Sequence, residues 1–316
     1  MTYADIVTFG ETMALMLPAQ GKGIEHAKSF DSSFGGAESN LAIGLSRLGA
    51  RAGWFGRLGD DPLGRMILKG IRGEGVDVSR AALVEGEPTG LMLRDVTWGR
   101  SSVYYYRKLS AASRMSPEHL DEEYIRQAKL LHVTGITPAL SESCRDTVFA
   151  AVDIAKKHGV QVSFDPNLRL KLWSMEEARP VLQRLAASAD YYLPGYDELK
   201  LLYGTDDFEA IIAELRKLQA VSIVKGAGDE TLIVERDRID RVPFFPVKQV
   251  VDTVGAGDGF CAGFLSGIVR GLSRFEAVRL GSLVGAMVVQ GAGDWESIPT
   301  LSLVEAELGL RKHVER

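Results

Sequence analysis

Cysteine is scarce: the 316 residues include two, Cys144 and Cys261. They stand far apart, with no second Cys or His at metal-ligand spacing, which argues against a disulfide framework and a structural zinc site. Both lie in apolar, helix-like contexts, as buried thiols of a reducing compartment do. The five histidines, His26, His119, His132, His158 and His313, show no ligand or triad spacing and suit surface or packing positions. No segment approaches the ~18 consecutive apolar residues of a membrane span. The start, MTYADIVTFGETM, lacks the basic residues and the apolar run of a signal peptide. Positive charge is not in excess either, and a formal net charge of -5 argues against a surface built for nucleic acid. The expectation is a soluble, cytoplasmic protein without nucleic-acid or membrane partners.

The residues present can build a sizeable core: 46% are hydrophobic and 25% charged, ordinary for a globular chain of this length. In the second half, short apolar runs (KLLHVTG, VQVSFDP, DYYLPG, VSIVKG) alternate with helix-like segments at 143–158, 175–188 and 207–218. That rhythm predicts right-handed crossovers and a mainly parallel sheet with helices on both faces, a three-layer α/β architecture.

The first half breaks the rhythm. IVTFG reads as a buried strand, TMALMLP and HAKSFDSSF as extended pieces, and GGAESNLAIGLSRLGA as a glycine-opened helix. TGLMLRDVT and SSVYYYRK flank Trp98-Gly99-Arg100 as a hairpin would. These pieces predict a small β-sheet lid made by two insertions, roughly 12–34 and 86–110, on one domain spanning 1–316. Ligands of open α/β sheets bind beyond the carboxyl ends of the strands. Gly10-Glu11, DPNLR (165–169), KGAGDE (225–230) and VVDTVGAGDGF (250–260) are therefore expected to line one cleft beneath the lid.

The last stretch carries three glycines around Asp258, just before apolar residues at helical spacing. A helix opening there would present free amides and the positive end of its dipole, an anion site that small residues leave accessible. Asp258 itself has two readings: a capping carboxylate, or a general base that takes a proton from an attacking hydroxyl while the amides hold a phosphoryl group. Two familiar nucleotide motifs are excluded. G-x-x-x-x-G-K-[ST] is absent, and Phe260 breaks G-x-G-x-x-G.

DTVGAGDGF resembles the C-terminal signature of the PfkB-type, or ribokinase-like, carbohydrate kinases. FGGAESNLAIGLSRLG (34–49) followed by GRLGDDPLG (56–64) resembles their N-terminal glycine-pair region, so the resemblance covers the whole chain. It implies a ribokinase-like fold and ATP-dependent phosphorylation of a sugar. Asp258 would be the base, and the amides of Gly255, Ala256 and Gly257 would stabilise the moving phosphoryl group. Gly35 and Gly36 would admit the sugar to the backbone, with Asn40 contacting it. Lys225, Gly226, Gly228 and Thr253 would border the nucleotide. ATP would bring Mg²⁺, with Glu198 in an outer shell, and the fold is compatible with a monovalent cation. Two departures leave the nucleotide contacts open: Gly195 stands where the family often has Asn, and Ser282 where relatives carry Asn near the adenine.

The lid bears on the substrate. YYYRKLSAASRMSP (104–117) resembles the 2-keto-3-deoxygluconate kinases of that family, in which a Tyr-x-Arg pair meets the sugar acid. Tyr105 and Arg107 would share a strand face, and an arginine fork suits a carboxylate. HVTGITPALS (132–141) and FDPNLRLKLW (164–173) extend the resemblance and add Ile136 and Arg169 as substrate-binding candidates. Tyr104 and Tyr106 also suit an aromatic packing face, and self-association through the lid is expected. The expected reaction is phosphorylation of 2-keto-3-deoxygluconate at a terminal hydroxyl, giving the 6-phosphate. The alternatives are a fructokinase or another sugar kinase of this type, and, in a different class, a sugar-binding protein without catalysis.

Overall fold

Nearly continuous apolar strands and amphipathic helices assemble into three layers in the computed structural model, which describes residues 4–19, 23–97 and 100–310. The central sheet has eight strands. In spatial order they are Ile239–Pro243, Glu230–Val234, Val221–Val224, Tyr191–Tyr192, Gln161–Asp165, Leu130–Thr134, Ile6–Phe9 and Ala52–Phe55. The six from Val221–Val224 to Ala52–Phe55 run parallel, and Glu230–Val234 and Ile239–Pro243 continue the edge antiparallel. Ile6–Phe9 and Leu130–Thr134 are buried along their whole length, as strands covered on both faces must be.

One face packs against the helices Glu142–Lys157, Met175–Ser188, Tyr196–Tyr203 and Phe208–Leu215. The other packs against Ala37–Arg47, Pro62–Gly73, Ala256–Val269 and Arg274–Val288. The predicted helices at 143–158, 175–188 and 207–218 thus occur with ends shifted by up to three residues. Local chemistry sets several starts: Ser141 accepts from the Cys144 amide at 3.1 Å, and Asp61, just before Pro62, accepts from Gly64 at 2.7 Å. Both cysteines are buried and unpaired. Among the described residues no helix is long and apolar enough to cross a membrane.

A separate four-stranded sheet runs in the order Phe30–Gly35, Met13–Pro18, Leu91–Thr97, Arg100–Tyr106. The last two strands pair antiparallel, and the turn expected at Trp98-Gly99 lies outside the described residues. A small apolar cluster of Met13, Leu15 and Met92 holds the sheet together. Tyr104, Tyr105 and Tyr106 stay exposed on it.

Candidate active site

The helix Ala256–Val269 opens at Gly255, whose φ of +76° is the left-handed conformation that glycine tolerates. A Cβ there would also sit 2.0 Å from the Asp294 carbonyl oxygen. No side chain caps this helix, so its first-turn amides remain donors for an anion. The space beside Gly257 is open and Thr253 is exposed, so a phosphate can approach. Asp258 is the third helical residue and does not cap. Its carboxylate accepts instead from Asn40 Nδ2 at 2.8 Å, across 218 residues of sequence. Burial pushes Asp258 up to about 6; Asn40 opposes the shift, Asp165 adds to it, and Arg169 and Lys225 oppose it. A carboxylate poised there is a competent proton acceptor near neutral pH.

Asn40, expected to contact the sugar, has its amide engaged with the Asp258 carboxylate. Its Oδ1 faces the Gly36 amide at 3.4 Å, which fixes the orientation of the side chain. The glycine pair also has a different physical reason. A Cβ on Gly35 would fall 1.9 Å from Asp294 Oδ2, and one on Gly36 would fall 2.3 Å from the Glu11 carbonyl oxygen. Both glycines make room for protein groups, whatever else approaches their backbone.

On the acceptor side, Arg107 forms an ion pair with the buried Glu11 carboxylate, which also accepts from Ser110 Oγ at 2.7 Å. The expected free cation is thus partly neutralised from within. Arg107 lies 5.5 Å from the Tyr105 ring centroid, and Lys171, not singled out by any motif, lies 5.8 Å from it. Arg169 is exposed and makes no ion pair among the described residues. Ile136 is partly buried, and its amide donates to Thr134 Oγ1 at 3.0 Å.

On the nucleotide side, Gly226 and Gly228 adopt φ of +75° and +78° with open space around them. Lys225, expected to border the nucleotide, turns inward. Its Nζ lies 2.9 Å from Asp165 Oδ2 and 3.8 Å from Cys261 Sγ. Burial opposes its charge, but Asp165 and its other neighbours outweigh that and its pKa is raised. Asp165 also accepts from the Asn167 amide at 3.1 Å, holding the turn that presents Arg169. Ser282 is buried, and its hydroxyl has no partner among the described residues.

Among the described residues no group of three His, Cys, Asp or Glu could hold a metal ion. Glu198 accepts backbone amides from Leu168 and Gly195, both at 2.7 Å. Each oxygen keeps a further lone pair for water, so the carboxylate fits an outer shell around a phosphate-bound Mg²⁺.

Three features were not singled out from sequence. Asp294 is buried between the Gly35 and Gly255 loops, and burial, with Asp258 adding, pushes its carboxyl up to about 7. Arg94 of the small sheet pairs with Asp252, in the turn before the Ala256–Val269 helix, at 2.7 Å. Glu38, fully buried, is pushed up to about 7 by burial. Asp294 and Glu296 flank a Trp in a glycine-rich segment, GAGDWES, the one local signal that could have flagged Asp294.

Comparison with known proteins agrees with this geometry. The model of the pfkB family carbohydrate kinases matches residues 3–301. The 2-dehydro-3-deoxygluconokinase of Bacillus subtilis (strain 168) is 40% identical, over 99% of this chain and 98% of its own. Fructokinase-1 of Zea mays is 34% identical, over 95% and 97%. A crystal structure of a Xylella fastidiosa fructokinase with bound ATP superposes with a TM-score of 0.86 at 25% identity, covering 98% of this chain and 100% of that one.

Proposed function

Given that the chain belongs to the pfkB family of carbohydrate kinases, we propose that it transfers the γ-phosphoryl group of ATP to a terminal hydroxyl of 2-keto-3-deoxygluconate, also called 2-dehydro-3-deoxygluconate. The observation that carries the substrate is the 40% identity with the Bacillus enzyme over essentially the full length of both chains. The cations Arg107, Lys171 and Arg169 around the acceptor side are in keeping with a carboxylate-bearing sugar.

In this reading Asp258, oriented by Asn40, takes the proton of the attacking hydroxyl. The hydroxyl oxygen bonds to the γ-phosphorus as the bond to the ADP oxygen breaks. The amides of Gly255, Ala256 and Gly257 would stabilise charge on the equatorial oxygens, the main task in phosphoryl transfer. Mg²⁺, held by the ATP phosphates and water with Glu198 in its outer shell, would neutralise phosphate charge. Thr253, Gly226 and Gly228 would line the phosphates, and Ser282 would offer its unused hydroxyl to the nucleotide. Lys225 would act from below, by fixing Asp165. Gly35, Gly36, Tyr105, Ile136, Arg107 and Arg169 would surround the sugar acid, with Asp294 accepting from its hydroxyls.

The small sheet would close over the cleft as a lid, and Tyr104 and Tyr106, exposed on it, would seat a second copy of the chain. ATP and two unpaired thiols suit the cytoplasm.

A neutral sugar is the second reading, favoured by the Glu11–Arg107 pair, which leaves little net charge at that point. An ADP-release assay separates the two with 2-keto-3-deoxygluconate, its galactonate epimer, fructose and no sugar. The sugar acid should give the highest kcat/KM, and a higher value for fructose would transfer the assignment to the neutral sugar.

A further inference from the structure

The turn that delivers Asn40 to Asp258 is not fixed by a cap. The helix Ala37–Arg47 begins after Gly36, which has no side chain and makes no side-chain cap hydrogen bond. Glycine is well tolerated at such a start but gives the turn no side-chain anchor. Here a different group supplies the anchor. Glu38, in the first turn, is fully buried. Its Oε1 accepts from Thr134 Oγ1 at 2.7 Å, at the end of a central strand, and from Thr137 Oγ1 at 2.8 Å, in the short helical turn that follows. Its carboxyl group packs against Gly10, at the end of the neighbouring strand, where an added Cβ would lie 2.3–2.5 Å from the carboxyl atoms.

We propose that Glu38 is a positioning residue for the base: it clamps the first turn of the Ala37 helix to two strand ends and so sets where Asn40 holds Asp258. The proposal rests on the reading of Asp258 as the base. Burying a carboxyl with one oxygen, Oε2, lacking a partner is costlier than packing a leucine of similar volume. What the carboxyl adds is direction. Two hydroxyls meeting on one oxygen fix the turn in a way that apolar contact does not, and Asn40 lies two residues further along it. Misplacing a catalytic group by about 1 Å can cost ~100-fold in rate.

The test compares four variants by kcat, KM for ATP and thermal melting. Glu38→Gln keeps the amide oxygen that both threonines can reach, and should retain kcat within about threefold. Glu38→Leu should lower kcat by roughly 10–100-fold with KM for ATP unchanged. Should Glu38→Leu fail to fold, Thr134→Val/Thr137→Val removes the two donors and should reproduce the loss. Asp258→Asn serves as the reference. An inactive Asp258→Asn beside a fully active Glu38→Leu or double-threonine variant would overturn the Glu38 role alone. An Asp258→Asn that still turns over would overturn the base, and the Glu38 role with it. Equal loss in Glu38→Gln and Glu38→Leu would show that the geometry of the clamp is not what matters, and would also overturn the proposal.

Discussion

Arg94 on the small sheet and Asp252 in the turn before the Ala256–Val269 helix form an ion pair of 2.7 Å with both side chains about nine-tenths buried, at 10% exposure each. The sheet that would cover the cleft is thereby fastened to the loop that would hold the phosphoryl group. Burial alone would raise Asp252, but the Arg94 guanidinium and the Val254 amide outweigh it and hold the carboxyl below its usual value. Breaking a buried pair from one side strands the other charge, at about 3–5 kcal/mol. Arg94→Met should therefore lower the melting temperature strongly and raise KM for ATP as the turn loosens. Arg94→Met/Asp252→Asn should recover much of the stability. Additive losses in a double-mutant cycle would show that the pair is not coupled.

Asp258 gives a pH signature with a defined sign. As a base it must be ionised, so kcat should fall as pH drops through about 6. For stability the direction is opposite. A carboxyl raised in the folded state favours the fold at low pH, and that contribution is lost as pH rises through about 6. Asp258→Asn should lower kcat by roughly 1,000-fold. It should also melt higher than the parent at pH 8, with the gap narrowing at pH 5. A gap that widened toward pH 5 would reverse the assigned shift.

The layered fold and the glycine-opened helix Ala256–Val269 were legible because their signals are local: apolar runs, helical spacing, and small residues before a helix. Gly255 needed its left-handed turn whatever lay nearby. The partnerships that tune the site were not legible, because they join residues distant in sequence. Arg107 announces a cation, but nothing in YYYRK says that Glu11 neutralises it. Lys225 follows a strand as a phosphate ligand would, yet Asp165 draws it inward. Asn40 could be read as a polar residue of the glycine-opened helix, but not as a partner of Asp258, since their bond spans 218 residues.

The acceptor-side cations can be separated. Arg169 is exposed and has no ion pair among the described residues, whereas Arg107 is held by Glu11. Losing a charge-assisted hydrogen bond costs about 1.5–3 kcal/mol. Arg169→Ala should thus raise KM for the sugar acid roughly 10–100-fold and leave KM for ATP unchanged. Arg107→Ala should add a loss of stability, because Glu11 would be left buried and unpaired. Glu11→Gln, which removes the neutralising charge, should tighten sugar-acid binding. If none of the three changes alters KM for the sugar acid while all remain folded, the carboxylate recognition is wrong.

Asp294 lies against both Gly35 and Gly255, and its segment is firmly seated. Trp295 stacks on Phe34 at 4.9 Å and donates its indole N–H to the Phe34 carbonyl at 3.1 Å. Arg47 donates to the carbonyls of Trp295 and Glu296 at 3.1 Å and of Ile298 at 2.7 Å. Because this segment cannot easily retreat, the two glycines facing it should respond differently to alanine. At Gly35 the added methyl meets the Asp294 side chain, and at Gly255 it meets the Asp294 main chain in a backbone already at positive φ. Overpacking of this kind costs about 1–3 kcal/mol. Gly35→Ala should melt lower, and Gly35→Ala/Asp294→Ala should regain that stability, although it stays impaired in turnover through loss of the Asp294 carboxylate. Gly255→Ala should be equally destabilised with or without Asp294→Ala, since neither the carbonyl oxygen nor the φ angle changes. Recovery of Gly255→Ala by the same second substitution would mean that the Asp294 side chain, and not its carbonyl, fills the space at the helix start.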